Sequence, residues 1–420
     1  MKVLAGGAVI TALWLVNGAF GGEQGYMSQP ALNGNSLVFV SEGDLWSATL
    51  PETLSGEVIL AHRLTSGAGE ETRPTISPDG TQVAFSAEYD GNTDVYVMPI
   101  DGGMPKRLTE DPGDDIALTW TADGGSILFS SPRRNPMGHS ELWSISTAGG
   151  MPTRFGFGEC SMVGLSATGR RFAFTRWSNE NWSWNRYRGG TAPDIWVGEM
   201  GTESYKNLTD NPASDLFPMW IGGRVYFASD RDGAMNIWSD KADGGDPKQH
   251  THFKDGAGTD VDGYALKWPS VDSGRGGRRI VFCQGGQLSI LDTGKDAVTR
   301  LNVQLVSDRA FARKRFVPLM ETVSEFALMK GGEELVVGSR GDFATVDVDT
   351  GAVTELTQSS ASREWGGALV GDDRLVMITD AGGEQQIAWM KLDGSTGTPQ
   401  ILTQQKNGWM YPPATSPDGR

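Results

Sequence analysis

The sequence predicts an all-β protein of the β-propeller class, with one six-bladed ring followed by an incomplete second propeller. Three observations carry that expectation. A strand-like apolar block recurs eight times along the 420 residues, a second strand opened by a polar residue follows each block, and turn residues punctuate the rest. The 57 Gly and 20 Pro, set against 16 Phe, 8 Tyr and 14 Trp, suit many short strands joined by tight turns rather than long helices.

The apolar blocks are LVFVS from Leu37, VAFSA from Val83, ILFSS from Ile127, FAFTR from Phe172, VYFAS from Val225, IVFCQ from Ile280, LVVGS from Leu335 and LVMIT from Leu375. The following strands open at Asp44, Asp94, Glu141, Asp194, Asn236, Gln287, Asp342 and Gln386, at spacings of 50, 47, 53, 42, 51, 55 and 44 residues. A third element lies 14 residues beyond these openings, at Leu108, Phe155, Leu208, His250, Leu301 and Leu356. Gly-Gly turns separate the two, as in DGGMPKRLT (101–109) and AGGMPTRF (148–155), where glycine supplies the positive φ of a tight hairpin. A fourth element precedes each block, as in RPTISPDG (73–80), whose Asp-Gly turns into the next strand. Four short antiparallel strands in a repeat of this length are a propeller blade.

Eight units and the start of a ninth are too many for one comfortable ring. The break is expected at VQLVSDRAFARKRFVPLMET (303–322), where a basic run interrupts an acidic chain. The expected organisation is a signal peptide over 1–21, a six-bladed propeller over 24–305, and two blades and part of a third of a second, truncated propeller over 311–420. The final ATSPDGR reads as an opening strand and turn cut short.

The bulk numbers exclude some partners. With 36 Lys plus Arg against 52 Asp plus Glu, the net charge of -16 repels phosphate backbones, so nucleic acid is not expected as a partner. Lys2 and the apolar stretch Val3 to Val16 are too short for a membrane-spanning helix and suit a secretory signal cleaved after Gly18 or Gly21. Export to the periplasm or exterior follows, without stable membrane insertion afterwards. A buried first strand, a membrane anchor or a cytoplasmic location are the alternatives. Cys160 and Cys283 read as two buried thiols, with no metal site or other cofactor.

Four stretches give the chain a family resemblance: QGYMSQPALNGNSLVFVSEGDLW (24–46), DGTQVAFSAEYDGNTDVYVMPIDGGMPKRLT (79–109), NRYRGGTAPDIWV (185–197) and the division near residue 310. The chain resembles the N-terminal region of the tricorn protease family. SPDG and DVY phrases are shared with the Tol-system periplasmic protein and the prolyl oligopeptidases; RYRGGTAPDIW is far more specific. The resemblance implies a six-bladed and a seven-bladed propeller ahead of a PDZ-like domain flanked by serine-protease domains. It also implies a large homo-oligomer that cuts peptides or unfolded proteins, the propellers gating and handling substrate without catalysing. Every catalytic residue of that family would lie beyond Arg420, so none is assigned here. One departure is that the loop after Leu108 reads TEDPGDD and holds no basic pair like the one that anchors peptide carboxylates in the archaeal enzyme. The alternative function is a Tol-type periplasmic scaffold for a protein partner; a weaker reading is a hydrolase with a carboxylate site in its central channel.

No serine elbow of the GxSxG kind occurs, GLSATG at 164 having one residue too many. His250 and His252 could face one side of a strand as metal ligands. The acidic loops TEDPGDD (109–115), TDNPASD (209–215) and KDGAGTDVDG (254–263) offer oxygen ligands but lack calcium-loop spacing. The substrate-binding candidates lie in TRWSNENWSWNRYRGGTAPD (175–194): Trp182, Trp184, Arg186, Tyr187 and Arg188 could stack on a ligand or hold a peptide carboxylate, or simply pack the loop.

Overall fold

The computed structural model describes residues 25–178, 187–202, 204–254, 264–274, 277–309, 322–357, 362–396, 398–406 and 408–416. The expected signal segment and the last four residues lie outside them. Contacts divide the chain into two compact units, 1–311 and 312–420. All the described elements are strands, arranged in eight antiparallel sheets of four strands, one of which takes a fifth.

In the first unit each sheet is a blade whose four strands run in sequence order. Blade 1 comprises Ser28–Asn33, Ser36–Ser41, Asp44–Thr49 and Val58–Arg63, and blade 2 Glu71–Ile76, Gln82–Ala87, Asp94–Pro99 and Lys106–Arg107. Blade 3 runs Ile116–Trp120, Ser126–Ser131, Glu141–Ser146 and Thr153–Glu159, and blade 4 Met162–Leu165, Arg171–Thr175, Trp196–Glu199 and Tyr205–Asn207. Blade 5 holds Asp215–Ile221, Arg224–Ser229, Asn236–Lys241 and Lys248–Gln249, and blade 6 Lys267–Val271, Arg279–Gln284, Gln287–Asp292 and Ala297–Arg300. The recurring apolar blocks are the second strands. They are continuous rather than alternating because neighbouring blades cover both faces of each sheet.

Six separate apolar clusters fill the six gaps between blades. Val38 and Leu45 meet Val83 and Phe85 between blades 1 and 2; Val95 and Val97 meet Ile127 and Phe129 between 2 and 3. Leu128 and Leu142 meet Phe172 and Phe174, Ala173 and Val197 meet Val225 and Phe227, and Tyr226 and Ala228 meet Ile280 and Phe282. The sixth cluster joins Phe39 and Trp46 of blade 1 to Val281 and Leu288 of blade 6, which closes the ring. A strap completes that closure: Asn302–Leu305 adds to blade 1 as a fifth strand, parallel to Val58–Arg63, with Val303 opposite Ile59. On the same seam the Cys283 thiol donates to the Met27 carbonyl at 3.0 Å, and the Met27 N–H donates to the Gly286 carbonyl at 2.8 Å.

In blades 2, 5, 7 and 8 the polar residue that opens the third strand anchors a clamp. The Thr109 hydroxyl accepts the Val95 N–H at 2.9 Å and donates to Asp94 at 3.0 Å. Thr251 does the same for Ile237 and Asn236, and Thr357 for Phe343 and Asp342. At Leu108, Leu208, His250 and Leu356 the third sequence element, 14 residues on, is the residue just before a threonine.

The second unit contains blade 7, Val323–Leu328, Glu334–Ser339, Asp342–Asp347 and Val353–Glu355, and blade 8, Glu364–Val370, Arg374–Thr379, Gln386–Lys391 and Gln400–Ile401. One cluster built on Val336, Phe343, Leu375 and Met377 joins them.

Candidate functional site

The innermost strands of blades 1 to 6 enclose an axial cavity of about 780 Å³. Its wall has an unusual backbone. In blades 1, 2, 5 and 6 the inner strand slips register beside a residue in the left-handed region that directly precedes proline: Gln29 (φ 48°), Arg73 (φ 56°), Phe217 (φ 57°) and Trp268 (φ 48°). Proline tolerates a bulge because it has no N–H to give to the ladder, but a residue before proline ordinarily stays extended. Each such position costs of order 1–3 kcal/mol. Two of the displaced amides are caught by the preceding blade: the Arg73 N–H donates to Gln29 Oε1 at 2.7 Å, and the Phe217 N–H to Met162 Sδ at 3.4 Å. All four left-handed residues line the cavity. Burial pushes the Arg73 pKa down to about 10, so its guanidinium remains charged at neutral pH.

The loop candidates divide. Trp182, Trp184 and Arg186 lie outside the described residues. The Tyr187 hydroxyl lies 3.1 Å from that of Thr191. Arg188 grips both carboxylate oxygens of Asp230 in blade 5 at 3.0 and 3.1 Å, and Asp230 is 1% exposed. Asp230 also accepts the Ser214 N–H, so Arg188 ties the blade 4 loop to blade 5.

A Ser-His-Asp arrangement that the sequence did not reveal joins blades 5 and 6. Ser239 Oγ lies 2.7 Å from His250 Nε2, and His250 Nδ1 lies 2.6 Å from Asp296. Geometry alone would suit a nucleophile and its base. Access does not: Ser239 is 0% exposed, and its oxygen also accepts from Arg224 Nε at 2.9 Å. The group is an inter-blade clasp. It also corrects the metal reading, because both His250 nitrogens are engaged and the strand ends at Gln249, so His250 and His252 do not share a strand face.

Among the acidic loops, Asp111 caps the Gly113 N–H and buried Asp115 pairs with Arg133. Asp215 takes Arg231 and the Asn211 amide. The stretch 255–263 lies outside the described residues, and no group of three potential metal ligands occurs among the described ones. Burial pushes the Cys283 thiol up to about 11 and raises Cys160 as well, so neither is an activated nucleophile.

Arg133 and Arg134 are adjacent in the loop that follows the second strand of blade 3. Arg133 is committed to Asp115 and packs over Phe129 and Trp143, as Arg231 packs over Phe227 and Trp238 in blade 5. Arg134 is exposed and left-handed (φ 61°).

Residues 24–297 match the family described as the tricorn protease N-terminal beta propeller domain. Tricorn protease homolog 1 of Streptomyces coelicolor is 27% identical over 409 residues, covering 94% of this chain and 36% of that protein. A tricorn-like protease N-terminal subunit of Sulfurisphaera tokodaii is 30% identical over 180 residues, 41% of this chain and 87% of that one. The crystal structure of the tricorn protease superposes with a TM-score of 0.65 at 22% identity, over 91% of this chain and 36% of that one. The chain thus spans about a third of the length of the longer relatives, 36% in both cases.

Proposed function

Because the chain belongs to the tricorn protease family through the N-terminal propeller domain that residues 24–297 match, we propose that it gates and handles substrate for a serine-type peptidase. The single observation behind this role is the closed ring around an axial cavity lined by the inner strands of six blades. Peptides or unfolded proteins are the substrates. The catalytic serine belongs to a further region of the same polypeptide or to a companion subunit, and the whole is exported and homo-oligomeric. In this role exposed Arg134 is a cation that an incoming peptide carboxylate can meet.

The test is cleavage of fluorogenic tri- and tetrapeptides. Residues 1–420 alone are expected to be inactive, and the native-length product, isolated from its own cells, active and blocked by a serine-directed fluorophosphonate. A native product that cleaves none of the peptides and takes up no fluorophosphonate contradicts the proposal.

A further inference from the structure

The charges that line the axial cavity do not balance. Among the described residues four charged side chains line it: Arg73, Asp79, Asp123 and Asp272. The Arg73 guanidinium is buried and already engaged, so it presents no cation to the cavity. Asp272 is matched by Arg279 at 3.0 and 2.7 Å and also accepts the Gly34 and Gly274 N–H groups. What remains is Asp79 and Asp123, both exposed. Each sits in the turn between the first two strands of its blade, and these turns pack against one another around the ring. A Cβ on Gly124 would stand 3.7 Å from Pro78 Cδ, and one on Gly169 3.4 Å from Ala122 Cβ. Asp79 and Asp123 are therefore neighbours on one rim of the cavity. In both, the turn uses a single carboxylate oxygen. Asp79 Oδ1 accepts from the Ser77 and Thr81 hydroxyls at 2.6 and 2.8 Å and from the Thr81 N–H at 3.0 Å. Asp123 Oδ1 accepts from the Thr121 hydroxyl at 2.6 Å and the Gly125 N–H at 3.0 Å. These bonds fix both side chains and hold both carboxyls below their usual range, while each Oδ2 has no partner among the described residues. Much of the remaining wall is apolar, including Ile76, Leu118, Val163, Leu165 and Ile221. A mouth of one sign above apolar walls focuses its field on counter-ions.

On the footing of the peptide-handling role, we propose that the axial cavity takes up peptides by an organic ammonium, an N-terminal amine or a lysine side chain, held at the rim by Asp79 and Asp123. An ammonium carries three N–H donors, so one group can serve the open oxygen of both carboxylates. Such charge-assisted bonds are roughly twice as strong as neutral ones. The apolar wall then covers the adjoining aliphatic stem or residues without selecting among them. The cavity of about 780 Å³ falls in the range of about 300–1,000 Å³ usual for small-ligand sites.

The experiment is calorimetric titration of the full 420-residue chain with tetraalanine amide, its N-acetyl form, and the N-acetyl amide of trialanyl-lysine. At least one of the two ammonium-bearing peptides is expected to bind about tenfold or more tightly than the neutral one. Which of them does so separates the N-terminal amine from the lysine side chain as the source of the cation. Raising the salt concentration should weaken only the ammonium-bearing peptides. Asp79→Asn with Asp123→Asn should erase the preference, and it keeps the turns because an amide oxygen accepts the same hydrogen bonds. Glu88→Gln with Glu110→Gln, which removes two exposed charges that do not line the cavity, should preserve it. Equal binding of all three peptides, no binding of any, a preference that survives in the asparagine variant, or one lost equally in the glutamine variant overturns the proposal. If binding fails while the native-length product still cleaves peptides, only the ammonium site falls. If binding holds while that product cleaves nothing, the gating role falls instead.

Discussion

At the scale of single residues, the molecule relies on buried polar groups used in pairs. Removing one partner leaves the other unsatisfied, so Thr109→Ala, which strands the Val95 N–H and Asp94, should cost about 1–3 kcal/mol in urea unfolding, whereas exposed Thr81→Ala should cost much less. Glu71 supplies a pH signature. Burial raises its pKa, although Tyr89 and Thr65 donate to it at 2.6 and 2.8 Å. A carboxyl whose folded pKa lies above its unfolded value stabilises fully at low pH, and that contribution is lost as pH climbs through the folded value. Glu71→Gln should therefore flatten the decline in stability above the ordinary carboxylate range, measured as urea midpoints from pH 4.5 to 7. The Ser239–His250–Asp296 clasp predicts that His250→Gln lowers the melting temperature and leaves any hydrolysis of p-nitrophenyl acetate by the chain at the level of the unaltered protein. The sequence could show four histidines but not this constellation, because its members come from a third strand, a strand exit and a turn of the next blade. The same limit hid Arg133 and Asp115, 18 residues apart and joined only by folding.

At the scale of elements, the repeat made the blades legible and left their linkage obscure. The eight apolar blocks fall on the second strands and seven of the eight polar openings on the third, since both signals are local patterns of burial and capping; Asp194 lies two residues ahead of its strand, Trp196–Glu199. The strap Asn302–Leu305 was not legible as a partner of Val58–Arg63, because that pairing is parallel and crosses almost the whole ring. The inner-strand bulges were equally hidden: Gln-Pro, Arg-Pro, Phe-Pro and Trp-Pro look like unrelated dipeptides until their common register is seen. A bulge in blade 8 follows the same rule with glycine, where the Gly366 and Gly367 N–H groups donate to Glu325 of blade 7 at 2.9 and 2.7 Å. The strap can be tested by itself. Val303 is 1% exposed and its backbone lies in the parallel ladder, so Val303→Pro should cost about 3 kcal/mol or more and open the seam between blades 1 and 6 to hydrogen exchange. Unchanged exchange at Ile59 and Val281 would show that the strap does not hold the ring.

At the scale of the whole molecule, the two units differ in how completely their apolar faces are covered. Six clusters circle the first unit. In the second, Phe326 is 75% exposed, Trp409 66% and Tyr411 86%. Limited proteolysis should therefore cleave within 312–420 first and leave a resistant core over 26–305; equal resistance of the two would contradict the division. The family was legible because the blade repeat and three of the phrases that carry the resemblance fall within residues 24–297, the stretch that matches the family's N-terminal propeller, whereas a substrate role rests on groups brought together only by folding. The most direct test of the gating role is to recover the native protein from its own cells with an antibody to the first propeller and treat it with a fluorescent fluorophosphonate. The account predicts a labelled serine peptidase, carried on a polypeptide longer than 420 residues or on a subunit that co-purifies with it. Recovery of an unlabelled chain of 420 residues, with no labelled companion, would contradict it.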